Sequence, residues 1–344
     1  MTRIAWAIAL ISLLLVPASG RAQQDQVFGR TGPPSRGTIT AISPARVTIK
    51  TTATSVDFDA KDIQRVTFGN EPNEVRTGRE RALAGQYSDA LEELRKVDPE
   101  SIETDVIRQE LNYYIGYSLA HLAMEAGGDK GEAHAALLDF VGQNRNSYHF
   151  FPAAQLLGDL SYAMGEFDDA VRYYSGLARA PWPEHQMKAA VLQARAQAAG
   201  GRYEEALAQF EQVLASGLNT PEAMEQKRQA SVGKAVCLAG TGRHEEGIQL
   251  LHELIANNDP NDAELMGPAY NALGACHAQA GETKQALLAY LHTDILYFSN
   301  APAHAEALYH LSRLWSRVDQ SDRAVRARSL LQSRYAGTRW AAMQ

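Results

Sequence analysis

Two periodicities divide the chain. Between Gly37 and Phe68 apolar and polar positions alternate: Arg46-Val47-Thr48-Ile49-Lys50 does so strictly, Val56 and Phe58 flank Asp57, and Val66 and Phe68 flank Thr67. A period of two is that of half-buried strands, so GTITAIS, RVTIKTT, SVDF and IQRVTF predict a small antiparallel β domain over residues 37–70. So few strand residues bury only a small core, and the piece must close as a small barrel or lean on the helices C-terminal to it. After Glu71-Pro72 the period lengthens to that of amphipathic helices and stays so to the end. Residues 23–36, polar and carrying Gly29, Gly32, Pro33 and Pro34, predict a flexible leader.

The helical part repeats. Phe151 to Trp182 reads as two antiparallel helices with Gly158 on the first, Gly165 at the turn and Ala170 on the second, small residues that let the helices approach closely. The small residue of the second helix recurs as Ala90, Ala133, Ala170, Ala206, Gly247, Ala286 and Ala324, at spacings from 36 to 43 residues. Such a unit cannot bury its apolar face alone, so recurrence predicts a stacked array. Asp98-Pro99, Pro181-Trp182-Pro183, Thr220-Pro221 and Asp259-Pro260 fall between units, where Pro ends one helix or starts the next.

The units resemble the tetratricopeptide repeat. The third gives Ala154, Leu157, Gly158, Ser161, Ala170, Tyr174, Leu177 and Trp182; the sixth gives Tyr270, Leu273, Gly274, His277, Ala286, Tyr290 and Thr293. Ala194, Ala235 and Ser312 stand where units four, five and seven would have Gly, and the second unit has about five extra residues around Gly127-Gly128. The resemblance implies a mostly α fold, a right-handed α-solenoid of about seven helix pairs over residues 73–340, closed by Leu330, Leu331, Tyr335 and Trp340. The β region resembles an SH3-like or Sm-like barrel in outline, either as a sheet capping the first repeat or as a binding module.

Ahead of all this, residues 1–22 carry Arg3, an apolar run from Ile4 to Val16, Pro17 and a small-residue exit at Gly20 and Ala22. That order is that of a secretory signal peptide, cleaved or retained as an anchor. It predicts a bacterial periplasmic or extracellular protein with no integral membrane segment after its removal.

Composition narrows the chemistry. With 45% hydrophobic residues, 21% charged and a net charge of −7, the chain offers no basic stripe, and nucleic acid is not an expected partner. The two cysteines, Cys237 and Cys276, hold matched positions on neighbouring units, too far apart for a disulfide. The ten histidines form no metal-binding spacing, and there is no phosphate loop or nucleophile elbow. We therefore expect no cofactor, no metal and no enzyme; Asp57, Asp59 and Asp62 in the β region read as the wet face of a strand.

What remains is a surface. In solenoids of this family first helices line the concave groove, and the register selects Tyr113, Tyr117, Gln155, Asp159, Tyr162, Arg195, Asn271, Tyr309 and Arg313. Tyr and Arg combine contact area with a directed polar tip. The expected function is an exported scaffold holding a protein or extended peptide in that groove, in envelope or secreted complex assembly. The alternative is a cell-wall or polysaccharide-associated protein that stacks sugars on the groove aromatics.

Overall fold

The computed structural model describes residues 24–125 and 127–343; the predicted signal segment lies outside them. The β domain has five strands, β1 (Asp25–Gly29), β2 (Ser35–Ile42), β3 (Arg46–Lys50), β4 (Ser55–Asp59) and β5 (Ile63–Thr67). All pairings are antiparallel, in the order β4-β3-β2-β1-β5. The first strand corrects the sequence reading. Asp25–Gly29 was expected in a flexible leader, yet it pairs on both sides, with β2 and β5. Its Val27 is fully buried, Arg65 lies 3.8 Å over the Phe28 ring, and the Asp25 carboxylate accepts hydrogen bonds from the Ile39 and Gly69 amides. Proline and glycine crowd the connection to β2, and they hid the short strand before it. Register shifts at Phe28/Gly29 and Ile39/Ala41 bend the sheet, and β5 returns to β1.

This sheet does not stand alone. Val27, Val47, Ile49, Val66 and Phe68 share one core with Val75, Ala82, Leu94 and Leu111 of the first helices. Ala45 and Ala60 pack against the cluster of Phe151 and Trp182, and Lys61 is paired with Glu184 at the start of the fourth unit. The sheet thus covers the start of the array and reaches along it.

Seven helix pairs come next: α1 (Asn73–Leu83) with α2 (Tyr87–Leu94), α3 (Asp105–Glu125) with α4 (Lys130–Gln143), α5 (Phe150–Met164) with α6 (Phe167–Leu177), and α7 (Pro183–Ala199) with α8 (Tyr203–Leu214). Then come α9 (Pro221–Gly240) with α10 (His244–Ala256), α11 (Ala263–Gln279) with α12 (Thr283–Leu296), and α13 (Ala301–Arg317) with α14 (Ser321–Arg334). A last turn, α15 (Arg339–Ala342), ends the described chain. The recurring small residues do what their spacing implied. A β-carbon on Gly158 would lie 2.4 Å from the Tyr174 ring, one on Gly274 2.7 Å from Tyr290, and one on Gly78 2.4 Å from Leu94. First-helix glycine therefore receives the large residue four places after the second helix's small one. Gly247 replaces the usual Ala because a β-carbon there would meet the Ala235 carbonyl at 2.8 Å and the Cys276 sulfur at 3.2 Å. Both cysteines are buried and free.

The turns within pairs also repeat. Gly85, Gly165, Gly201, Gly242 and Gly281 all have φ near +80°, a conformation that costs other residues energy. In the seventh unit Asp319 holds the same place at φ 58°. Leu331 and Tyr335 are buried in the core of the last unit, with Leu330 and Trp340 partly buried against it.

Candidate functional site in the lumen of the solenoid

First helices α5, α7, α9 and α11 turn one side toward a shared lumen. Two adjoining cavities occupy it, of about 710 Å³ and about 630 Å³. Both are lined by Tyr162, Ala163, Arg195, Arg339 and Trp340. The larger extends to Val232, Val236, Asn271 and Glu306; the smaller to Asp159, Tyr174 and the end of α3.

The lumen is closed on one side by the chain's own end. After α14, Gly337 packs against the loop of the second unit, where an added β-carbon would lie 2.7 Å from the Gly127 amide nitrogen and 2.8 Å from the Ala123 and Met124 carbonyl oxygens. The Thr338 side chain then caps α15 through the Ala341 amide, and Gln332 holds the Ala341 carbonyl. This directs Arg339 and Trp340 into the lumen. The Arg339 guanidinium lies 4.6 Å from the Tyr162 ring centre, 5.6 Å from Phe167 and 4.2 Å from Trp340. Trp340 in turn packs on Tyr309 and His310 at 5.2 Å and 5.4 Å. Each cation–aromatic contact contributes about 0.5–2 kcal/mol, more as water is excluded.

The structure brings four of the residues selected by register to the lumen. Asp159, Tyr162, Arg195 and Asn271 line the cavities. Arg195 is exposed to the lumen, with its guanidinium 5.7 Å from the Tyr162 ring. Desolvation works against its charge, but Tyr162, Tyr174 and Asp159 hold it above its ordinary value. Asp159 accepts the Tyr174 hydroxyl at 2.8 Å, and burial pushes its carboxyl up. Asn271 is 2% exposed; its amide nitrogen donates to the Ala303 carbonyl and to Glu306, while its Oδ1 has no partner among the described residues. Glu306 is likewise pushed up by burial.

The other five are corrected. Tyr113 is buried, its ring stacked on His149 at 3.7 Å and packed on Phe140, because the α4–α5 connection folds over it. Tyr117 lies half-buried between Tyr87 and His121. Gln155 contacts the lumen only through Asp159, to which it donates at 3.4 Å. Tyr309 is covered by Trp340, and Arg313, exposed, spends its guanidinium on the Tyr309 hydroxyl at 2.6 Å. Arg339, Trp340, Glu306 and His310 were missed: α15 is a single turn beyond the last repeat, and nothing local in the sequence directs it inward. His310 is half-buried; desolvation, with Arg313 and Arg339 beside it, lowers it to about 4, and it adds no charge at neutral pH. Among the described residues no group of three or more His, Cys, Asp or Glu is placed to hold a metal, and no helix is long and apolar enough to cross a membrane.

Stacked helix pairs around a lumen define an α-solenoid, a class built for contact along an extended surface. Residues 156–217 and 191–263 match the tetratricopeptide repeat family, so the chain carries tetratricopeptide repeats over that stretch. No curated sequence shows significant similarity to it. Among solved structures it is similar to a tetratricopeptide repeat protein from Parabacteroides merdae, at 16% identity and a TM-score of 0.57, over 76% of this chain and 92% of that one. It is also similar to a Rap protein complexed with competence and sporulation factor, at 12% identity and TM-score 0.52, over 78% and 76%. The quorum sensor NprR from B. thuringiensis gives 11% identity and TM-score 0.51, over 76% and 86%. At these identities the likeness is one of fold.

Proposed function

We propose that this protein is an exported scaffold, periplasmic or extracellular, that holds an extended segment of a partner protein or peptide in its lumen during assembly of an envelope or secreted complex. The observation that carries the reading is the lumen itself. Cavities large enough for several residues of extended chain are lined by Tyr162, Arg195 and Asn271 from the first helices of units three, four and six, side chains that offer area and directed hydrogen bonds. A Rap protein of the same fold complexed with competence and sporulation factor is consistent with it. Export rests on the charge, apolar run and small-residue exit of residues 1–22.

Crosslinking in the native compartment followed by recovery tests this. Partners crosslinked to the wild type should be lost from a Tyr162→Ala, Asn271→Ala variant with an unchanged melting curve; recovery of every partner would overturn the assignment. Polysaccharide binding is the weaker reading, because Arg339 already lies over the rings of Tyr162 and Trp340 that sugars would stack on. Cosedimentation with purified wall polymer would revive it.

A further inference from the structure

The chain as a whole is acidic, but one end is not. Residues 313–339 carry seven arginines, no lysine and two acids, Asp319 and Asp322. All of these arginines but Arg339 are exposed, and among the described residues none of the seven forms an ion pair. Four of them, Arg323, Arg326, Arg328 and Arg334, belong to α14.

Next to this basic helix the surface is apolar. Leu288, Ile295, Leu296 and Phe298, on α12 and just beyond its end, are 60%, 63%, 59% and 53% exposed. The repeat shows that this is local. At the places that Leu288 and Ile295 hold relative to Ala286, the third unit has Arg172 and Arg179, and the fifth has Gln249 and Ala256. In the seventh unit the place of Leu288 is taken by Arg326, so the apolar stripe of α12 and a guanidinium of α14 face the same way on neighbouring second helices. The helix between them, α13, ties their ends together: His304 bonds Asp294 at 2.8 Å and the Tyr335 hydroxyl at 2.7 Å, and its ring lies 6.4 Å from that of Phe298. Leu288, Ile295 and Arg326 line neither cavity of the lumen, so this face is on the outside.

The stripe needs an apolar cover and the arginines beside it need anions. A second copy of the chain meets the first need and not the other. Two-fold pairing through this face sets arginine against arginine, and of the carboxylates nearby Asp294 is held by His304. Nucleic acid would meet the arginines and leave Ile295 and Phe298 against phosphate. An anionic lipid surface meets both, because its acyl boundary accepts apolar side chains while its headgroups carry the negative charge.

We propose that α12 and α14 form a peripheral membrane-docking face, in which the stripe from Leu288 to Phe298 enters the headgroup boundary of an anionic bilayer and Arg323 and Arg326 meet its phosphates. The stripe is about 15 Å long and rests in the surface rather than crossing it. Docking on the outside leaves the lumen open to its own partner, so this surface does not depend on what the lumen holds.

The test uses the purified full chain with a polarity-sensitive fluorescent label on Ser299→Cys, beside Phe298, or on Ala135→Cys, the place matched to Leu288 in the second unit. Both native cysteines are buried, so the introduced thiol is the reactive one. Vesicles are of phosphatidylcholine alone, or have about a third of it replaced by phosphatidylglycerol. The label on Ser299→Cys should brighten and shift to the blue with the anionic vesicles, at least about tenfold more tightly than with the neutral ones, and more weakly as salt rises. The label on Ala135→Cys should not respond. Arg323→Gln and Arg326→Gln should each weaken the response by about fivefold, and an Ile295→Ser, Phe298→Ser variant by about tenfold, with melting curves in place because these side chains are exposed. Residues 1–22 are the same in every variant, so the differences between variants and between label sites report this face. No response at Ser299→Cys, an equal response to both vesicles, or an equal response at Ala135→Cys overturns the proposal. So does a shift that needs only higher protein concentration, which would give the face to a second copy, or one produced by an oligonucleotide and not by anionic vesicles.

Discussion

Gly337 and Gly127 lie in backbone contact, 210 residues apart in sequence, so close that neither an alanine nor anything larger fits at Gly337. The second and seventh units of the array are thereby joined across the lumen. Gly337→Val should unseat this joint, overpacking it by about 1–3 kcal/mol. Because the strain falls on a terminal segment, the expected result is loss of amide-exchange protection over residues 337–343 with little movement of the main melting transition. Protection equal to wild type would show that the contact does not hold the segment.

The turn residues give a second prediction, with opposite signs at equivalent places. Asp319 adopts the left-handed conformation that glycine adopts in five other units. Asp319→Gly should therefore stabilise the seventh pair by about 0.5–1 kcal/mol, after allowing for glycine's greater freedom in the unfolded chain. Gly165→Ala should destabilise the third pair by about 1 kcal/mol. Denaturant midpoints of the two variants, moving in opposite directions, check both.

A third concerns the polar network under the β domain. Arg79 donates to Glu71 at 2.6 Å and 2.9 Å and to Glu110 at 3.3 Å, while Tyr148 donates to Glu110 at 2.7 Å and His149 bonds it at 2.8 Å. All five side chains are buried, and removing one partner strands the rest. Glu110→Ala should cost about 3–5 kcal/mol. Burial opposes the Glu110 charge, but His149, Arg79 and Tyr148 overcome it and hold the carboxyl below its ordinary value of 4.5. Its contribution is therefore complete above pH 4.5 and is lost as pH falls through the lower folded value. Urea midpoints measured from about pH 5 down to about pH 3 should fall more steeply for the wild type than for Glu110→Gln.

The thiols provide a fourth, simpler check. Cys237 and Cys276 are buried, and burial raises both to about 12. Neither should react with iodoacetamide in the folded protein at neutral pH, and both should react together on unfolding. A Cys237–Cys276 bridge in non-reducing peptide maps would contradict this packing.

How far the sequence could be read depended on how local the signal was. The seven pairs were legible because Gly158 must receive Tyr174 sixteen residues later, and unit after unit repeats such a demand within a short stretch of chain. Asp159, Tyr162, Arg195 and Asn271 were legible for the same reason, since in the middle of the array register alone decides which side faces the lumen. At its ends register is not enough. Tyr113 is covered by His149 and Tyr309 by Trp340, segments placed by tertiary contacts that no periodicity records. Strand β1 failed for a related reason: Val27 and Phe28 are too short a pattern to declare a strand until β5, some 40 residues on, is there to pair with it.

The joint between Gly127 and Gly337 makes the protein a closed circuit, from the second unit around to the seventh and back. An open solenoid can be occupied sideways by the middle of a chain already folded at both ends. A closed one admits only a free end that threads, unless the joint parts first. A substitution at that joint would also loosen the segment that carries Arg339 and Trp340, so it would act on entry and on the lumen wall together.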